Sequence, residues 1–363
     1  MTEILLWAGY FAVFAFLVHK GRSKDAVLSG SVGFGVQAFA YVATYISAVA
    51  LVGFGGLAHA YGLQMLLVAA GNVWFGTWAV YRFLAWPTRK WQERLGARTP
   101  AQLLGLGHGS PSLTRAMAFV FALFLGVYGS AVIKGAALLL AEILPVPVWA
   151  LIWLVAIIVG LTVFIGGLRG VLYTEAMQGV VMLVGMLMLV GAIFSKVGGP
   201  WEGMQALAAL PPSDLANNGF VSLSGGERGL FILSLVVVTS IAVWAQPQMM
   251  QRHFAIADPR QLKKTTPLAM FILTVLVGGA YFAAALSRLI LPEVASPDQV
   301  MPKLVQMLLP EFALHIFVLA IVSASLSTAT GIYHIAVSAL SEDLRGRPSN
   351  RLSWFAGIAI CVL

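Results

Sequence analysis

AFAYVATYISAVALVGFGGLAHAYG, residues 38–62, is apolar enough for a bilayer, yet it carries Thr44, Tyr45 and Ser47 at mid-depth and Gly53, Gly55 and Gly56 near one end. SLVVVTSIAVWAQPQMMQRHF, residues 234–254, has the same character, with Thr239 and Ser240 at mid-depth and then Gln246, Pro247 and Gln248. Interrupted spans at corresponding places in two halves of a chain point to an inverted-repeat secondary transporter. Unwound backbone at such points can offer carbonyl oxygens to a cation, which a lipid-facing helix cannot do. The glycines taken alone also fit close helix packing, and Pro247 alone fits a kink. The pairing of the two segments is what favours the transport reading.

Working outward, 60% of the 363 residues are hydrophobic and only 10% are charged, and the mean hydropathy is +0.89. Soluble domains carry about 25% charged residues, so an all-α integral membrane protein is expected. With about 20 apolar residues per span, complete segments run roughly over 3–19, 29–57, 61–86, 114–143, 147–167, 170–195, 228–251, 266–291 and 310–340. A further segment starts at 352 and ends in mid-run at Leu363, which reads as a truncation. The start lacks a basic n-region and a cleavage site, so it reads as a retained helix.

Of the 22 lysines and arginines, 17 fall on alternate loops: Lys20–Lys24, Arg82–Arg115, Arg169, Arg252–Lys264 and Arg345–Arg351. The positive-inside rule then places the N-terminus outside, in a bacterial inner or plasma membrane. The basic pI of about 9.7 therefore marks cytoplasmic loops and calls for no nucleic acid. The single cysteine, Cys361, excludes a disulfide framework within the chain. Walker A, HExxH, metal-ligand Cys/His spacings and a nucleophile elbow are all lacking, so neither an embedded enzyme nor an ATP-driven pump is expected.

FALHIFVLAIVSASLSTATGIYHIAVSAL, residues 312–340, places Ser323, Ser325, Ser327, Thr328 and Thr330 within eight positions of an apolar span. A hydroxyl in hydrocarbon must find a partner. Ser323, Ser325 and Thr330 fit bonds back to their own helix. Ser327 and Thr328, about 100° apart, can face one seam, and with the Ala324 carbonyl they form a hard-oxygen set suited to an alkali cation. Lys134, in YGSAVIKGAALLLAE (128–142), is the only lysine inside a span. Such a residue is a functional hypothesis by default: it could receive a carboxylate, replace a cation or titrate. Snorkelling is the alternative.

Four stretches carry a family likeness: ATYISAVALVGFGG (43–56), GGLRGVLYTEAMQG (166–179), QPQMMQRHFAIADPRQLKK (246–264) and LSTATGIYHIAVSALSEDL (326–344). In order and topology they resemble the sodium:solute symporter family, whose members carry proline, sugars, pantothenate and monocarboxylates. The resemblance implies a five-plus-five inverted-repeat (LeuT-like) fold. A peripheral N-terminal helix (1–27) would precede a first repeat (28–195), an external loop (196–227) and an incomplete second repeat (228–363). It implies a sodium site from the carbonyls of Ala43, Ile46 and Ala324 and the hydroxyls of Ser327 and Thr328. Glu175 stands where many members have an aspartate, so it either serves a second cation or caps the short 166–171 loop.

Where proline carriers have an aspartate this chain has Tyr45, and where sugar carriers have polar residues it has Val49 and Ala50, which disfavours a sugar. The expected function is Na+-coupled import of a small organic solute, an organic anion or amino acid. Solute contacts are expected from Tyr45, Ser47, Lys134, Thr239, Trp244 and Gln246. Two rivals stand: a transporter-like sensor heading a C-terminal signalling domain, and a proton-coupled symporter using Lys134 or Glu175.

Overall fold

A computed structural model describes residues 2–23, 25–28, 30–141, 146–224, 226–291, 294, 296–346 and 354. Among them the chain is helical, and the only β pairing is an isolated bridge between Ser213 and Ala216. In chain order the α-helices are α1 (Thr2–Gly21), α2 (Phe34–Tyr45), α3 (Phe54–Tyr61), α4 (Leu66–Val73), α5 (Trp86–Leu95), α6 (Pro100–Gly107), α7 (Pro111–Ala141) and α8 (Val148–Leu161). They continue as α9 (Gly167–Val197), α10 (Pro200–Ala208), α11 (Gly229–Ser240), α12 (Pro247–His253), α13 (Pro259–Leu273), α14 (Gly279–Leu286), α15 (Val300–Leu308) and α16 (Glu311–Ser338). Wider π turns at Trp74–Ala85, Thr162–Gly166 and Thr274–Gly278 splice α4 to α5, α8 to α9 and α13 to α14.

Among the described residues, six apolar helical runs are long enough to cross a membrane, and α11–α12, bent by 54°, makes a seventh if it is taken as one span. Two runs, Val49–Leu95 and Val148–Val197, hold 47 and 50 residues. At 1.5 Å per residue each would exceed about 70 Å, more than twice the roughly 30 Å hydrocarbon core. They turn back at Gly62 (φ 73°) and Gly167 (φ 53°), a region that L side chains avoid. The turns are pinned by Leu63 N–H to the Phe220 carbonyl (2.7 Å) and Leu168 N–H to the Ala26 carbonyl (2.9 Å). The chain thus follows the segment order read from its hydropathy. The stretch beginning at 352 lies outside the described residues except for Trp354, whose Nε1 donates to the Val163 carbonyl.

α16 runs through the middle, buried without a break from Phe317 to Ala339, and packs on α9, α7 and α2. The loops rich in basic residues meet at one end. There Arg98 bridges Asp25 and Glu342, and Arg89 Nη1 donates to the Phe254 carbonyl. Within 196–227 lies a helix that the hydropathy reading passed over: α10 starts at Pro200 with Glu202 in its first turn, both favourable there.

Candidate functional site

α2 stops at Tyr45 because Ile46 is extended (φ −99°, ψ 109°). Its N–H still bonds the Val42 carbonyl at 2.9 Å, and the next turn restarts with Ala50 N–H on the Ser47 carbonyl. The break therefore lies inside the Thr44–Ser47 polar patch, while the glycines toward the C-terminal end of the segment remain helical and permit close packing. A Cβ at Gly56 would strike the Pro297 backbone, and one at Gly55 the Met301 side chain. The second break is at Gln246 (φ −68°, ψ 121°), directly before Pro247. A proline drives its predecessor out of the α region and is well placed as the first residue of α12.

The five hydroxyls of α16 divide as follows. Ser325 and Thr330 donate to the carbonyls of Ile321 and Leu326 in their own helix. Ser323 pairs instead with the Tyr10 hydroxyl at 2.9 Å, docking α1 on α16. Ser327 crosses the seam: its Oγ lies 2.7 Å from the Ala43 carbonyl of α2 and 3.2 Å from the Ala324 carbonyl. Thr328 Oγ1 is buried and has no hydrogen-bond partner among the described residues. An unsatisfied buried hydroxyl costs about 1–3 kcal/mol, which a hard cation bound at that point would offset. The oxygens gathered here fit Na+: two carbonyls, a hydroxyl touching both, and a neighbouring hydroxyl without a partner.

Glu175, on α9, forms an ion pair with Arg252 of α12, both side chains fully buried. Arg252 Nε donates to Thr44 Oγ1 (3.0 Å), and Nη1 to the Gln248 carbonyl (2.9 Å). Glu175 therefore does not cap the 166–171 loop; it reaches across the bundle.

Of the expected solute contacts, Tyr45 and Thr239 come together around Asn72 of α4. The Tyr45 hydroxyl lies 2.8 Å from the Thr239 carbonyl and 3.1 Å from Asn72 Oδ1; Thr239 Oγ1 lies 2.8 Å and Ser240 Oγ 3.0 Å from that same oxygen. Trp244 Nε1 donates to the Phe75 carbonyl. These bonds tie α2, α4 and α11 to one another. Gln246 accepts from Gln248 Nε2 (3.1 Å), and Ser47 is half-buried with its backbone carbonyl in use. Lys134 lies on the exposed side of α7, apart from this group. The hydropathy reading missed Asn72 and Arg252. An asparagine inside the apolar run LLVAAGNVWFG (66–76) was the available signal for the first. Arg252 was hidden among the basic residues counted as loop charges.

The comparisons agree with this architecture. A solved structure of a Na+-coupled sialic acid symporter, in a substrate-bound outward-open state, superposes with a TM-score of 0.83, covering 100% of this chain and 79% of its own at 15% identity. That likeness establishes the LeuT-like fold. The sodium/pantothenate symporter of Haemophilus influenzae is 27% identical over 345 residues, covering 90% of this chain and 68% of the relative. The Escherichia coli sodium/pantothenate symporter is 28% identical over 324 residues, covering 87% and 65%. The high-affinity proline transporter PutP of Bacillus subtilis is 25% identical, covering 94% and 71%. The chain thus spans about two thirds of the length of these relatives. The sodium:solute symporter family model matches residues 27–349. A multi-pass membrane chain and not an enzyme, it belongs to the sodium:solute symporter family, whose coupling ion is Na+.

Proposed function

We propose that the protein imports a small, carboxylate-bearing organic solute together with Na+ by alternating access. The observation that carries the reading is the α2–α16 seam, where the Ser327 hydroxyl lies within hydrogen-bond distance of both the Ala43 and the Ala324 carbonyls and the next residue, Thr328, has a buried hydroxyl without a partner among the described residues. With the Ile46 carbonyl at the break, these residues would hold the ion. The Ser327–Ala43 hydrogen bond and a cation compete for the same oxygens, so ion binding changes how the two helices meet. A site divided between two packed elements holds its ligand well only when those elements are in register. Occupancy therefore biases the rocking of one helix group on the other.

The domain division follows that of the sequence: residues 1–27 peripheral, 28–195 the first repeat, 196–227 external, 228–363 the second repeat. The N-terminus is outside and the basic loops are cytoplasmic. Pantothenate, proline and sialic acid, the solutes named for three of the relatives, all carry a carboxylate, which supports the solute class. Ser47, Gln246 and the opened backbone beside them are the solute contacts on the broken helices. Tyr45, Thr239 and Trp244 hold those helices in place, and Lys134, on the exposed side of α7, takes no part in the solute contacts. Neither the sensor reading nor proton coupling gains support from the relatives.

The test is solute-free ²²Na+ binding to the purified full-length protein beside a Ser327→Ala/Thr328→Ala double variant. Saturable binding that the variant loses is the expected result. Binding that is unchanged in the variant removes the ion from this seam.

A further inference from the structure

The sequence leaves Glu175 as a ligand for a second cation, yet the structure places a cation of the protein's own beside it. We propose that Arg252 is a tethered cation standing in for a second Na+, so that a single sodium ion is bound per transport cycle. This inference rests on the sodium reading above.

Arg252 occupies a built seat. Its three nitrogens each have an acceptor, on Thr44 of α2, Gln248 of its own helix and Glu175 of α9. On the remaining side is Gly331 of α16: a Cβ there would come within 2.7 Å of Nη2, so the glycine is what leaves room for the guanidinium. Thr44 follows Ala43, and Gly331 lies one turn beyond Ser327, so the seat adjoins the proposed sodium site on the same two helices. A carboxylate buried to this degree requires a compensating positive charge. A mobile ion could supply it only by arriving and leaving in each cycle, whereas the guanidinium is always present. With Arg252 in place the pair is neutral, and a second Na+ a few ångströms away would meet a like charge in a poorly screened interior. Glu175 Oε2 has no hydrogen-bond partner among the described residues. It is the oxygen onto which a mobile cation would move if the guanidinium were removed.

The experiment counts ions. Equilibrium ²²Na+ binding is measured on the full-length protein, on Arg252→Gln, and on Glu175→Gln/Arg252→Gln. The expected stoichiometries are one ion for the parent, two for Arg252→Gln and one again for the double variant, with the sodium Hill coefficient of uptake rising only in the single variant. Two ions on the parent would overturn the proposal, as would a folded Arg252→Gln that still binds one. If the single variant does not assemble, the parent and the double variant carry the test, and two ions on either one overturns it. A parent that binds no Na+ overturns the sodium reading and this proposal together. A parent at one ion with Arg252→Gln also at one overturns this proposal alone.

Discussion

Glu175 and Arg252 meet in the middle of the helix bundle with both side chains fully buried, whereas Arg98 meets Asp25 and Glu342 at the basic end, where 28% of the Arg98 and 36% of the Asp25 side chain stay exposed. The chemistry is the same and the consequence differs. At the rim, water can replace a lost partner, and the guanidinium is spread over two carboxylates at 2.5 and 2.8 Å. Burial works against the charge of Arg98, but Glu342 and Asp25 outweigh it and raise its pKa above the ordinary value. In addition, Thr99 Oγ1 and Gln102 Nε2 each lie 2.8 Å from Asp343 Oδ1, so the region of α6 docks the end of α16 through several bonds. In the middle, neither charge of the Glu175–Arg252 pair has a second ion-pair partner among the described residues. The rim cluster is redundant docking; at the centre one guanidinium, bonded to Glu175 of α9 and Thr44 of α2, ties three helices together.

The largest effect should therefore come from the centre. Arg252→Gln leaves a buried carboxylate alone, and breaking such a pair costs about 3–5 kcal/mol. Glu175→Gln/Arg252→Gln removes both charges and should recover most of that loss in thermal unfolding of the detergent-solubilised protein. Equal losses in the single and double variants would show that the pair is not the energetic unit and would break the contrast with the rim.

Arg98→Gln should be milder, about 1–2 kcal/mol, because the exposed partner Asp25 regains water while Glu342, only 1% exposed, does not. Part of the effect should vanish as salt is raised, since exposed charge pairs are screened. A salt-independent loss as large as that of Arg252→Gln would mean that the rim is as closed as the centre.

How far this contrast was legible in the sequence depends on the range of each interaction. The membrane class, the order of the spans and the clustering of basic loops follow from composition and hydropathy, which are local. The break at Gln246 was legible because Pro247 imposes it. The break at Ile46 was not marked by any Gly or Pro, and the nearby glycines drew attention to the wrong end of the segment. Ser325 and Thr330 bond within one turn, so helical spacing predicts them. Ser323 finds Tyr10, 313 residues away, and Arg252 finds Glu175, 77 away; no periodicity encodes such pairs.

Thr328 gives the smallest expected effect and sharpens the comparison most, because it is a polar group at the centre with no partner among the described residues. Thr328→Val keeps the shape and removes the oxygen. If the hydroxyl is unsatisfied in the sodium-free protein, the variant loses no hydrogen bond there, and its sodium-free melting should stay level or rise by an amount worth about 1 kcal/mol. Sodium affinity should move the other way, falling about tenfold, which corresponds to about 1.4 kcal/mol of lost ion contact. Opposite signs in the two measurements are what a ligand oxygen predicts. A structural hydroxyl predicts lower stability with unchanged affinity. The seam between α2 and α16 would then be a packing contact like the one Ser323 makes with Tyr10, and the ion would have to be sought elsewhere along the broken helices.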